Sequence, residues 1–192
     1  EGLQSICTKL IQDGALNPSS VHNEGRLARA KLERARRQVA SALNVESSEL
    51  RFTSGATEAI HDFMEGFLKK GDHVVASPVE HPAIYGALER AGADVTVFDI
   101  SRNGVIEPSH VQSKLTPQTK LVVVMMAQNE FGTIFPITDI VAAVSPVPVF
   151  VDAVQAFGKV PLDLKSMGVK GASVSGHKIG GLSGCGVLWY HP

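Results

Sequence analysis

The sequence predicts an α/β fold in three layers, a mostly parallel central sheet with helices on both faces. Short runs rich in Val, Ile and Phe alternate with helical patterns of roughly ten residues along most of the chain, as parallel strands joined by crossover helices do. With 44% hydrophobic and 19% charged residues over 192 positions, the chain can close a core of its own as one domain. In sheets of this kind ligands sit at the carboxyl ends of the strands.

The chain opens with Leu3, Ile6, Cys7, Leu10 and Ile11 at helical spacing, and Asp13-Gly14 is expected to stop that helix. Asn17-Pro18-Ser19-Ser20 reads as a turn, followed by a long basic helix over 23–43 with Leu27, Leu32, Ala35, Val39 and Leu43 as inner positions. Alternation then begins: strands at 50–53, 73–77, 94–99, 121–127 and 147–152, with helices at 57–68, 83–91, 109–115 and 137–144 between them. Two last strands, at 172–175 and 186–190, bracket a glycine-rich turn.

A formal net charge of −1 predicts neither a nucleic-acid nor a membrane-surface partner. No aromatics interleave with the arginines of the long helix, so its charges read as a solvated face. Cys7 and Cys185, far apart, argue against a disulfide scaffold and fit a reducing, cytoplasmic compartment. No apolar run approaches the ~20 residues of a spanning helix, and no signal pattern opens the chain. The start at Glu1 without methionine, and the end directly after a strand, lead to the expectation of a fragment.

Chemistry concentrates where the apolar runs stop. Thr53-Ser54-Gly55-Ala56-Thr57 leads into a helix whose first N–H groups, with Thr57 as cap, form an anion site; an ordinary capping box explains the same residues. His81, before the helix-starting Pro82, could stack on a flat ligand or carry protons, or serve only as a hydrogen-bonded structural residue. Asn129 offers a donor and an acceptor, although a turn before Gly132 accounts for it as well. Asp152 ends an apolar strand and needs a partner, either a protonated pyridine nitrogen or an arginine or lysine; Gln155 follows it. Ser175 and His177 add polar groups beside Lys178, an amine in a glycine-rich turn that is able to form an imine.

Together these supply a phosphate cradle, a stacking ring, an amide, a carboxylate for a ring nitrogen and an amine, the requirements of pyridoxal phosphate. Metal and serine-hydrolase chemistry lack support, since the seven histidines form no HExxH pair and no Gly-x-Ser-x-Gly follows a strand.

The motifs Thr53–Ala59 (TSGATEA), Glu80-His81, Asn129-Glu130 with Gly132, Val151–Lys159 (VDAVQAFGK) and Ser175–Gly181 (SGHKIGG) occur in this order. Together they resemble the cysteine desulfurases of the class V aminotransferase group, fold type I. The resemblance implies that residues 1–192 form the large cofactor-binding domain. It makes Lys178 the Schiff-base lysine, sets Asp152 against the pyridine nitrogen, and gives His81 stacking and proton transfer. Asn129 and Gln155 would contact the ring hydroxyl oxygen, and Ala56, Thr57, Ser175 and His177 the phosphate. L-Cysteine would be the substrate and L-alanine the product, with the sulfur passing through a persulfide to an acceptor protein, iron–sulfur cluster assembly being the expected use. Relatives are homodimers. The family's smaller C-terminal domain, with its persulfide cysteine and carboxylate-binding arginine, has no counterpart in these residues. Leu182-Ser183 stand where relatives commonly have Pro-Lys, and Cys185, away from the nucleophile position, reads as a packed structural thiol. Another class V enzyme (a selenocysteine lyase, an isopenicillin-epimerase-like protein or an aminotransferase) and a non-catalytic scaffold remain alternatives.

Overall fold

The computed structural model describes residues 2–12 and 16–191. The strands are β1 (Leu50–Thr53), β2 (His73–Ala76), β3 (Asp94–Val97), β4 (Thr119–Met125), β5 (Val149–Asp152), β6 (Gly171–Ser175) and β7 (Gly186–Tyr190). They form one sheet in the order β1-β7-β6-β5-β4-β2-β3. Pairing is parallel from β6 through β3, and β7 runs antiparallel to both β6 and β1. The expected mostly parallel sheet is therefore the one observed, with a single reversed strand near one edge.

Among the described residues seven α-helices accompany it: α1 (Leu3–Gln12), α2 (Asn23–Leu43), α3 (Ala56–Phe67), α4 (Pro82–Ala91), α5 (Pro108–Gln112), α6 (Ile137–Val144) and α7 (Leu164–Met167). Strand residues point alternately to the two faces, so the strands need apolar side chains at nearly every position. Val74, Ala76, Leu121, Val123 and Phe150 pack under Ile60, Phe63 and Met64 of α3 and Ile84 and Leu88 of α4. Val75, Val122, Val124, Val149 and Val151 take the other face with Leu43 of α2, Ile140 of α6 and Leu164 of α7. Phe150 anchors the first layer, its ring centroid 4.4 Å from that of Phe63.

Three expectations need correction. Leu27 and Leu32 of α2 are 59% and 36% exposed. That half of the helix is tied to the preceding loop instead of the sheet: Arg29 donates to the Pro18 carbonyl and Arg26 to that of Val21. Only the last turns, with Ala40 and Leu43, reach the core. Several strands end one or two residues earlier than their apolar runs, because residues 77, 98–99 and 126–127 leave the ladder, Ser77, Phe98, Met126 and Ala127 staying buried while Asp99 is exposed. Thr57 is not the cap of α3; Gly55 is, and Thr57 lies inside the first turn. The expected stop at Asp13-Gly14 lies outside the described residues, and α1 presents Leu3, Ile6, Leu10 and Ile11 to solvent.

Candidate active site

The parallel strands deliver their polar ends to one edge of the sheet. There the chain forms a cavity of about 500 Å³, lined among others by Ala56, Thr57, His81, Asn129, Asp152, Gln155, Ser175, His177 and Lys178. Every residue that the sequence singles out for the site is on its wall.

One end of the cavity is the start of α3. The Thr53 hydroxyl donates to the Gly55 carbonyl, and the Ser54 N–H and hydroxyl both donate to the Glu58 carboxylate at 2.6 Å. Those bonds, the Ser54 hydroxyl's first, hold the Glu58 carboxyl below its ordinary range. With Ser54 turned back onto Glu58, capping falls to Gly55, whose carbonyl receives the Ala59 N–H. The Ala56 and Thr57 N–H groups precede that first helical bond, so they have no intrahelical acceptor and sit at the positive end of a 12-residue helix.

His81 caps α4, its Nδ1 accepting the Ala83 N–H at 3.2 Å while Pro82 starts the helix. That bond fixes the ring's orientation and leaves Nε2 for a ligand. After β4 the turn is built by Gln128, whose Oε1 accepts the N–H groups of Glu130 and Phe131. Asn129 Oδ1 accepts a long bond from Gln128 Nε2 at 3.5 Å, and the residue is exposed on the cavity wall with its own NH₂ group left to donate.

Asp152 is only 5% exposed at the tip of β5. Its carboxylate accepts the Val154 N–H at 3.1 Å and the Ser173 hydroxyl at 3.2 Å, and among the described residues no arginine or lysine pairs with it. Burial pushes its carboxyl up, opposed by those two hydrogen bonds and by His81. Gln155, one turn on, accepts Lys159 Nζ through Oε1 at 2.6 Å. Since ammonium only donates, the amide is oriented with its NH₂ left over to donate to a ligand oxygen.

After β6 the chain makes a short 3₁₀ turn, Gly176–Ile179, ended by Gly180 in the left-handed region. Ser175 is buried and its hydroxyl meets His177 Nδ1 at 2.8 Å. Lys178 is exposed on this turn and has no hydrogen bond or ion pair among the described residues. The expectation of a packed Cys185 is overturned: the residue is exposed, and its backbone carbonyl accepts the Gly176 N–H at 2.9 Å. The neighbouring Ser183 and Gly184 line the cavity, so that strand of loop belongs to the site wall and not to the core.

These residues fit pyridoxal phosphate. A buried carboxylate without a cationic partner, vacant N–H groups at a helix start and an unpaired amine on one cavity are complementary to a ring with a basic nitrogen, a phosphate and an aldehyde.

The sequence model described as Aminotransferase class-V matches residues 4–192. The chain belongs to this family. Among curated class V relatives, the cysteine desulfurase IscS of Methanosarcina thermophila is 36% identical over 182 residues, covering 90% of this chain and 45% of its own length. That of Ehrlichia chaffeensis is 39% identical over 183 residues, with the same coverage. Of solved structures, a NifS-like protein superposes with a TM-score of 0.90 at 33% identity, over 98% of this chain and 55% of that one. A second, described as SspA in complex with cysteine, gives 0.89 at 32%, over 98% and 56%. The chain spans about half the length of the curated class V relatives it matches.

Two residues near the site received no role from their sequence context. Glu80 was visible only as the neighbour of His81, and Lys159 only as the end of a motif. An acidic residue between Val79 and His81-Pro82, next to an apolar strand, was the available signal for the first.

Proposed function

We propose that residues 1–192 serve as the cofactor-binding large domain of a pyridoxal-phosphate-dependent cysteine desulfurase. In the overall reaction L-cysteine and a protein thiolate give L-alanine and a persulfide, and the sulfur moves on to an acceptor protein. The observation that carries this reading is Asp152, a buried carboxylate with hydrogen bonds but no cationic partner, in one cavity with an unpaired lysine amine. An isolated buried charge is costly, and a protonated ring nitrogen supplies the missing partner.

Bound pyridoxal phosphate supplies an aldehyde for amine attachment and a cationic ring that withdraws electrons from the substrate. The chain's residues do the rest. Lys178 Nζ would hold the cofactor covalently through its aldehyde. Asp152 keeps the ring nitrogen protonated. His81, held through Nδ1, would face the bound ring and carry protons through Nε2. The Gln155 NH₂ and Asn129 hold the ring hydroxyl oxygen. Ala56 and Thr57, with Ser175 and His177, hold the phosphate. The names of two similar relatives, both cysteine desulfurases, and the complex of one similar structure with cysteine favour L-cysteine as substrate. A cytoplasmic homodimer delivering sulfur for iron–sulfur assembly is the physiological setting this reading implies.

The test is direct. The complete gene product, incubated with pyridoxal phosphate and reduced with borohydride, should carry the cofactor on Lys178, and with L-cysteine it should release sulfide and alanine. Lys178→Ala should fold, bind the cofactor weakly and give no covalent adduct. Turnover of selenocysteine or of another amino acid in place of cysteine would move the protein to another class V activity. An absence of cofactor binding altogether would leave it a scaffold.

A further inference from the structure

Glu80 is the least expected residue near the cavity. It follows the end of β2, is 8% exposed, and its Oε2 is buried with no hydrogen-bond partner. Its Oε1 accepts the N–H of Met125, the last residue of β4. The reason lies in the ladder. Along β4 the N–H groups of Val122 and Met126 go to β5, through Pro148 and Asp152, so those of 123 and 125 face β2. Beyond Ala76, however, the chain turns away, and the Ser77 carbonyl is taken by the Tyr85 hydroxyl at 2.6 Å. The Glu80 side chain therefore stands in for the strand carbonyl that Met125 lacks.

Met125 is in register with Asp152 on β5, so the same carboxyl that closes the ladder lies beside the cavity's buried acid. The two are close enough that the Asp152 charge acts on Glu80. The other groups facing Glu80 are Tyr85 of α4, whose hydroxyl burial and then the Glu80 charge push up, and the Ser77 hydroxyl; His81, next in sequence, acts on Asp152. None of these offers a permanent positive charge. Two carboxyls sharing a low-dielectric site do not both ionise at neutral pH.

We infer that Glu80 is a positioning residue of the cofactor site: as a neutral carboxylic acid it fastens the His81-bearing turn to β4 and leaves Asp152 as the only carboxylate set against the ring. The inference rests on the cofactor reading above and adds a residue to it. Burial, then the Asp152 charge, push the Glu80 carboxyl up to about 8, against the pull of the Met125 N–H and the Ser77 hydroxyl. At pH 7 it is protonated. Glu80 does not touch the reacting atoms; it acts through His81 and Asp152.

The experiment uses the full-length protein as wild type, Glu80→Gln, Glu80→Ala and Asp152→Asn. Infrared difference spectra of the cofactor-free protein should show a protonated-carboxyl C=O band at pH 7 that disappears as pH rises through about 8. In Asp152→Asn the band should remain, because burial is the larger cause, but disappear at a lower pH than in wild type, and it should be absent from Glu80→Gln. Pyridoxal phosphate titrations should show Glu80→Ala binding about tenfold more weakly or worse, the usual scale for an orphaned buried N–H, while Glu80→Gln, which keeps a neutral acceptor for Met125, restores binding. A band unaffected by Glu80→Gln, or Glu80→Ala binding as tightly as wild type, overturns the inference. Should Glu80→Ala fail to fold, the infrared titration of Glu80→Gln still decides it. Wild type that shows the band but binds no cofactor would sink the functional reading while leaving the protonated state of Glu80 established.

Discussion

Gly186→Ala tests the phosphate end of the site through a contact that involves no polar group at all. Gly186 starts β7 and lies between Thr53 of β1 and Ser175 of β6, the two strand ends that flank the start of α3. A Cβ there would come within 2.4 Å of the Gly55 carbonyl carbon and 2.5 Å of its Cα, where real Cβ contacts do not fall below 3.0 Å. Both partners are backbone, so something must move by about 0.6 Å. What moves is the cap of α3, and with it the Ala56 and Thr57 N–H groups. Overpacking of this kind costs on the order of 1–3 kcal/mol, which for a domain of this size lowers Tm by several degrees. Cofactor affinity should fall further, by roughly tenfold or more, because a displaced donor loses its alignment with the phosphate. The assay is paired: pyridoxal phosphate and unphosphorylated pyridoxal are titrated against wild type and Gly186→Ala, with thermal unfolding alongside. Only the phosphorylated ligand should suffer. Equal weakening of both ligands, or an unchanged Tm with unchanged affinity, would falsify the assignment of this turn as the phosphate cradle.

Other outcomes follow from the same geometry. Because the folded Glu80 carboxyl titrates at about 8 against an ordinary 4.5, its stabilising contribution is complete below pH 4.5 and is lost as pH rises through 8. At about 1.4 kcal/mol per unit, the swing is roughly 5 kcal/mol at most, and Asp152, also raised, adds to it with the same sign. Urea unfolding from pH 5 to 9 should show a downward slope that Glu80→Gln flattens. Asp152→Asn should retain the covalent link to Lys178, detectable by borohydride trapping, yet lose most turnover because a neutral amide does not hold the ring nitrogen protonated. Phe150→Ala removes a fully buried ring packed on Phe63 and should destabilise by about 3–5 kcal/mol in chemical denaturation.

The sheet and its ligand edge were legible because parallel strands buried on both faces must be apolar nearly throughout, so each polar residue that ends a run marks a strand tip. Asp152 after Val149-Phe150-Val151, and Ser175 after Ala172-Ser173-Val174, are examples. Leu27 and Leu32 misled for the converse reason. Helical periodicity records which face is apolar, not whether anything lies opposite it, and α2 meets the core only in its last turns. Capping of α3 was misassigned since Ser54 and Thr57 both qualify by residue type, whereas the choice depends on Glu58 capturing Ser54. Glu80 stayed hidden because its partner, the Met125 N–H, is an orphan created by the point at which β2 leaves the ladder. Only the registered sheet reveals that.

The charges of the cavity form a sequence in space that narrows what it can hold. Ala56 and Thr57 offer unbonded N–H groups at the positive end of α3, and Ser175 with His177 adds hydroxyl and imidazole, so this end calls for an anion. Asp152, buried and without a cation of its own, calls for a proton-bearing nitrogen. Gln155, its carbonyl taken by Lys159, calls for an acceptor oxygen. An ordinary metabolite with one of these features would leave the others unsatisfied. A ligand that joins all three on one flat ring, and presents a carbonyl carbon to the free amine of Lys178, satisfies every one. If Glu80 were ionised as well, the region around Asp152 would carry two negative charges facing a single cationic nitrogen, and the excess charge would have no partner. The buried proton of Glu80 keeps the balance at one carboxylate to one ring nitrogen.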